Sequence, residues 1–404
     1  MAVKSQKKKN ELVKSRLVLN FPGFEQTSAE SQLDRIKHSA GKTGEIWNFG
    51  HERLSVHQES GVNHAIGDCR TKSADWQVNT RIVQFSWNDI IQAYEKVAHP
   101  LGIIRNFPKF LAFFTDGTVS RYRKASGRYW AFTIFPILLL AIFIGVSWYA
   151  STWFTSFLNL SGSAATIIEI LVTIVLTLLF CKWPGDKAYL ILTINDWGFA
   201  RDMVNRTNPD IEERYQEFAD TIVKEIKTGS HDEIVFSGHS FGSVWAVAGL
   251  ALALEKEPDL LKGRKAIFMA LGSSLLKIAL AKNADFMREW TKKVTSQPEL
   301  FWHEIQTKDD IIAFYKCDPF EVLGFPEPAG GYRIDRVNYK KAMDKKRYKS
   351  MRRSFYRTHR QYILYQDKPA TFDYMLRLFG PVYSRNLAEL PESVQTIDPG
   401  AKLV

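Results

Sequence analysis

Short runs of alternating or continuous apolar residues recur along this chain, separated by stretches with helical spacing. Residues 16–21 (Arg-Leu-Val-Leu-Asn-Phe) and 80–87 (Thr-Arg-Ile-Val-Gln-Phe-Ser-Trp) predict strands. Residues 209–228 predict a helix, because Ile211, Tyr215, Phe218, Ile222 and Ile226 fall on one face. A short apolar run at 232–236 predicts a buried strand, and 244–254, rich in Ala, Leu and Val, a buried helix. Two further strands are predicted at 265–272 and 301–306. Strands alternating with helices predict an α/β fold with a largely parallel sheet flanked by helices. No internal repeat or low-complexity segment interrupts this pattern.

The middle of the chain reads differently. Residues 130–149 are almost wholly apolar around Pro136, and 164–181 are apolar apart from Glu169 and a few threonines. A spanning helix needs about 20 apolar residues, so a two-helix transmembrane hairpin is predicted. The linker at 151–163 is uncharged and carries Trp153, Phe154 and Phe157, residues suited to a membrane interface. Arg121, Arg123, Lys124 and Arg128 precede the first span, and Lys182 and Lys187 follow the second. Positive flanks on both sides place both ends in the cytoplasm, at an inner or plasma membrane. Glu169 is either a functional intramembrane acid or a residue snorkelling to the outer interface.

Candidate chemistry lies in Ser237–Ser243, read Ser-Gly-His-Ser-Phe-Gly-Ser, which contains G-x-S-x-G as Gly238, Ser240 and Gly242. A serine on a sharp strand-to-helix turn projects its hydroxyl from the sheet, and the turn leaves no room for side chains at the flanking glycines. The helix that follows adds partial positive charge where an oxyanion would form. A serine nucleophile needs a histidine to take its proton and a carboxylate to orient that histidine. Only His303 and His359 follow Ser240. His303 sits in an alternating run and reads as a strand residue; His359, near the C-terminus, reads as a loop histidine and the general base. Asp309 and Asp310 compete as the acid just past the strand that holds His303.

With these motifs the chain resembles an α/β-hydrolase of the serine lipase/esterase kind. That family often carries an acid, three residues, an aromatic, and then Asp-Pro, which here are Asp310, Phe314 and Asp318-Pro319. The resemblance makes Asp310 the triad acid and Asp309 a loop or capping residue. It gives the oxyanion hole the backbone N–H of Phe241 and of Phe24, the latter in the Pro22-Gly23-Phe24-Glu25 loop after the first strand. The run of several glycines found at that loop in lipases is absent here. No metal or cofactor is implied.

Lys and Arg total 54 against 43 Asp and Glu, a net charge of +11. Cys69, Cys181 and Cys317 are far apart, which offers neither metal spacing nor a disulfide framework and fits a reducing compartment. Residues 1–14 read as a basic, disordered start without the apolar core of a secretory signal. The expected organisation is a first part of the core at 15–120, the hairpin insertion at 121–186, a second part at 187–392 and a tail at 393–404. Between acid and histidine, basic residues from Lys340 to Arg353 interleave with Tyr339, Met343, Tyr348, Met351 and Phe355. This stretch reads as a surface helix on anionic lipid, as a solvated charged face, or as a nucleic-acid patch, the last disfavoured. The functional expectation is a membrane-anchored serine hydrolase acting on an ester or lipid-like acyl substrate. The competing expectation is an inactive hydrolase-like domain serving as a membrane scaffold or binding module.

Overall fold

The computed structural model describes residues 11–51, 55–57, 61–96, 99–370 and 372–388. The basic residues 1–10 and the whole of the expected tail at 393–404 therefore lie outside the described residues. The chain divides into two units: residues 1–88, 210–279 and 284–404 form one, and residues 89–209 with 280–283 the other. The second unit is larger than the insertion expected at 121–186.

The first unit is built on a mixed, mostly parallel sheet. Its strands are β1 (Ser15–Phe21), β2 (Gly50–His51), β3 (Ser55–His57), β4 (His64–Lys72), β5 (Gln77–Phe85), β6 (Glu233–His239), β7 (Ala266–Leu271), β8 (Leu300–Thr307) and β9 (Tyr332–Val337). Among the described residues the order is β2-β4-β5-β1-β6-β7-β8-β9, with β3 pairing β4 off that path. From β5 through β9 every pairing is parallel, whereas β4 runs antiparallel to β5. The central strands are buried on both faces, which is why β1, β6 and β7 read as continuous apolar runs.

Helices cover the sheet. Pro209–Thr228 forms as its periodicity predicts, and Gly242–Lys256 is buried along almost its whole length. Phe21 stacks on Phe85 at 4.2 Å, and Phe218 and Trp245 pack edge-on beside them. From β1 the chain turns through the helix Ala29–Trp47 toward β4 and β5; from β6 it turns through Gly242–Lys256 toward β7. The strand order therefore reverses between β1 and β6. Ligands of open α/β sheets bind at such a point, beyond the carboxyl ends of the strands.

Three expectations about this unit need correction. The predicted strand at 80–87 runs instead from Gln77 to Phe85, because its pairing with β4 extends it backwards. Residues 11–14 are not a loose start: Val13 is buried and its N–H donates to the Pro381 carbonyl at 2.8 Å. The basic stretch is not one surface helix but two short ones, Tyr339–Ala342 and Lys345–Met351. Tyr339, Met343, Tyr348 and Met351 pack into the core, leaving lysines outward rather than an apolar face.

The second unit holds two helices long and apolar enough to cross a membrane, Gly127–Phe157 with 31 residues and Gly162–Lys187 with 26. At about 1.5 Å rise per residue, each exceeds the roughly 30 Å of a bilayer's hydrocarbon core. Leu138, Ile142, Val146, Trp153 and Phe157 on the first, and Leu171 and Val175 on the second, are exposed. Polar groups instead meet between the helices. The Ser151 and Thr173 hydroxyls lie 2.9 Å apart, and Thr155 donates to Glu169 Oε1 at 2.6 Å. Glu169 thus has a partner on the neighbouring helix.

Candidate active site

Ser240 follows the last residue of β6 with φ +55°, a left-handed backbone that a non-glycine residue adopts only under constraint. Its neighbours explain the sequence pattern. A Cβ on Gly238 would lie 2.5 Å from Ser243 Cα, and one on Gly242 would lie 1.9 Å from the Phe21 carbonyl oxygen. Glycine is required at both positions because the helix Gly242–Lys256 starts hard against Gly238 on β6 and against the end of β1. Ser240 is held by its backbone, with its N–H donating to Leu271 O at 3.0 Å and its carbonyl accepting from the Ser274 N–H at 3.1 Å and the Ser243 hydroxyl at 2.7 Å.

His359 lies not in a loop but in the last turn of the short helix Phe355–Arg360, whose N-cap Ser354 accepts from the Arg357 N–H. Its Nδ1 meets Asp310 Oδ2 at 2.7 Å, with both side chains buried. A carboxylate oxygen there accepts the Nδ1 proton, leaving the lone pair on Nε2. Nε2 is buried and has no hydrogen-bond partner among the described residues. The structure thus pairs Asp310, and not Asp309, with His359. Asp309 accepts instead from the Tyr348 hydroxyl at 3.0 Å, which ties the helix Lys345–Met351 to the acid loop. Burial and then Asp309 raise the Tyr348 phenol above its usual range. His303 is a buried β8 residue whose Nε2 faces Asp335 Oδ2 at 2.8 Å. Burial, followed by the charge of Arg377, holds it down to about 4.

The loop after β1 reaches Ser240 from the other side. A Cβ on Gly23 would lie 2.9 Å from Ser240 Cβ. Phe24 follows, its ring centroid 5.7 Å from that of Trp87 and 6.3 Å from that of Phe241. Trp87 Nε1–H donates to the Pro22 carbonyl at 3.0 Å and so pins the start of this loop. Glu25 accepts from Arg35 at 2.6 Å and from Arg360 at 3.0 Å. Burial pushes the Glu25 carboxyl up, but the two guanidinium groups outweigh it and the net shift is downward. This ion pair links the β1 loop to the residue next to His359.

Several residues near Ser240 were not legible in the sequence. Ser274, just past β7, places its hydroxyl 3.3 Å from that of Ser240. His239 donates from Nε2 to the His359 carbonyl at 2.9 Å, and the two imidazole centroids are 4.7 Å apart. Burial, then the neighbouring His359, holds His239 well below the usual histidine range, so it stays neutral. Lys277, itself buried, sets its ammonium 4.9 Å from the centre of the Phe241 ring. Only His239 had a signal, its place inside the serine motif, and nothing local points from there to residue 359. Chemically, the structure brings together an imidazole and a carboxylate that fixes its tautomer; the constrained Ser240 points its hydroxyl to Ser274 and makes no hydrogen bond to His359. Compared with protein-family models, curated proteins and solved structures, the chain gave no match.

Proposed function

We propose that this chain is a membrane-anchored serine hydrolase of the α/β-hydrolase kind, cleaving an ester or lipid-like acyl substrate through Ser240, His359 and Asp310. The observation that carries the reading is the 2.7 Å contact of His359 with Asp310, with Ser240 held left-handed at the strand-to-helix turn. Their chain order, serine, acid, histidine, is that of the α/β-hydrolases. Ser240 Oγ attacks the acyl carbon while His359 Nε2 takes its proton. The oxyanion accepts from the Phe241 and Phe24 N–H groups, where the helix Gly242–Lys256 begins. As the tetrahedral adduct collapses, the leaving oxygen takes the proton from His359. Water then repeats the sequence on the acyl-enzyme and frees the acid. The Ser240 hydroxyl rests against Ser274, so this reading requires it to leave that contact for His359; such contacts commonly tighten only with substrate bound. The apolar helices anchor the chain in an inner or plasma membrane, with basic flanks and the hydrolase unit cytoplasmic.

A fluorophosphonate probe on membrane fractions tests this. The wild type should be labelled at Ser240 and should turn over a short-chain ester. Ser240→Ala should fold, resist labelling and lose on the order of 10³-fold or more in turnover. A folded wild type that neither reacts with the probe nor cleaves esters would favour the inactive scaffold instead.

A further inference from the structure

Three adjacent strands carry polar residues side by side in the buried sheet. Asn20 on β1 is in register with Gln84 on β5 and with Ser237 on β6, and all three are buried. They belong to one continuous chain of hydrogen bonds. The Ser237 and Tyr374 hydroxyls are 2.8 Å apart, Tyr374 donates to Asn20 Oδ1 at 2.9 Å, and Asn20 Nδ2 donates to Gln84 Oε1 at 2.6 Å. Gln84 Nε2 then donates to Gln32 Oε1 at 2.6 Å, and Gln32 Nε2 to the Thr27 carbonyl at 3.2 Å.

The polarity of this row is fixed by backbone carbonyls. A backbone carbonyl only accepts, so Gln32 must turn its amide nitrogen to Thr27 and its oxygen to Gln84. Gln84 must then turn its nitrogen to Gln32 and its oxygen to Asn20. Asn20 in turn offers its oxygen to Tyr374, whose single hydrogen is thereby used, and Ser237 has to donate to Tyr374. The Thr27 carbonyl and the Phe85 carbonyl, which Gln84 Nε2 also meets at 3.2 Å, dictate the same amide orientations back to the elbow strand. Buried polar chains of this kind specify geometry when every member is satisfied.

We propose that this row is a positioning device: it fixes the main chain of residues 22–28, and with it the Phe24 N–H, relative to Ser240. The inference rests on the serine-hydrolase reading for its catalytic meaning. It does not rest on that reading for its mechanical meaning.

The test is peptide-resolved hydrogen exchange on the full chain in detergent, beside ester kinetics, for the wild type, Gln32→Met and Gln84→Glu. Gln32→Met removes the last donor and should speed exchange in residues 22–28 by about tenfold, the size expected for one net hydrogen bond. Exchange in β6, β7 and β8 should be unchanged. Its kcat should fall roughly 10- to 100-fold, with KM altered less than about threefold, as for a misplaced oxyanion donor. Gln84→Glu is isosteric and keeps the row only while protonated; once ionised it faces Gln32 Oε1 as a second acceptor. Faster exchange in 22–28 should therefore appear in this variant as pH rises, relative to the wild type at each pH. Unchanged exchange at 22–28 in both variants overturns the inference. Faster exchange with unaltered kcat overturns its link to the site. If the wild type neither hydrolyses esters nor labels at Ser240, the hydrolase reading has failed, and the exchange comparison still decides the row.

Discussion

Replacing Glu304 with glutamine should flatten the pH dependence of stability in the sheet unit. Glu304 is buried on β8, where the Trp302 indole N–H donates to it at 3.2 Å. Burial, with a smaller push from the charge of Asp318, raises its carboxyl from 4.5 to about 8. The folded chain therefore keeps a proton that the unfolded chain sheds across that window. Stability from this group is complete below pH 4.5, declines as pH rises, and is lost by pH 8. Each pH unit costs about 1.4 kcal/mol, so roughly 3 kcal/mol goes between pH 4.5 and 7. Glutamine accepts the same indole N–H and never ionises. His303 acts with opposite sign: held to about 4 by burial and Arg377, it makes stability rise with pH from 4 to 6.5. It is present in both proteins and cancels in their difference. Denaturant midpoints can be read from thiol labelling of Cys317, a buried cysteine of the same unit. The gain of Glu304→Gln over the wild type should grow steadily from pH 5 to pH 8. Parallel midpoints over that range would refute the reasoning, since the folded carboxyl would then ionise as freely as the unfolded one.

Asp310→Asn should lower kcat on the order of 10³- to 10⁴-fold, as loss of an orienting carboxylate does. Asp309→Asn should stay within about tenfold of wild type, since it holds Tyr348 and not the imidazole; the reverse ranking would reassign the acid. His303→Gln should remain active while His359→Gln does not, and equal losses in steady-state assays would break the assignment of the base. Gly242→Ala drives a Cβ to within 1.9 Å of the Phe21 carbonyl oxygen. It should abolish fluorophosphonate labelling and lower thermal stability by more than about 2 kcal/mol; a fully labelled, stable variant would contradict the elbow geometry. For the helices, the protein should stay in membranes through alkaline carbonate. A cysteine placed at 156–163 should react with an impermeant thiol reagent from outside while one at Ser5 does not. Release by carbonate, or the opposite labelling, would exclude the hairpin.

Much of the sheet was readable because local periodicity reports burial directly. β1, β6, β7 and β8 are each buried along nearly their whole length; β1, β7 and β8 lie within one residue of the runs that predict them, and β6 continues three residues past its run. The serine turn was equally legible, since its pattern lies in one short run; Gly238 answers a clash with the adjoining helix start, whereas the clash at Gly242 comes from the distant Phe21 carbonyl. The antiparallel edge was not. β2 and β3 are two and three residues long, too short for an apolar pattern, and their pairing to β4 follows from register alone. The basic stretch misled for a related reason: alternating aromatics and lysines fit a lipid surface as well as a core, and only the packing of Tyr339, Met343 and Met351 decides between them.

By itself, then, the sequence determined an α/β chain with a serine at a strand-to-helix turn and two helices apolar enough to cross a membrane. Those features depend on contacts within a turn or on composition over a single helix. The tertiary structure alone decided which acid meets His359 across 49 positions, that His239 grips the backbone of a residue 120 positions away, and that Asn20, Gln84 and Ser237 share a row. Such pairings are set by strand register and by loops arriving from distant parts of the chain, and no local pattern of apolar and polar residues encodes them.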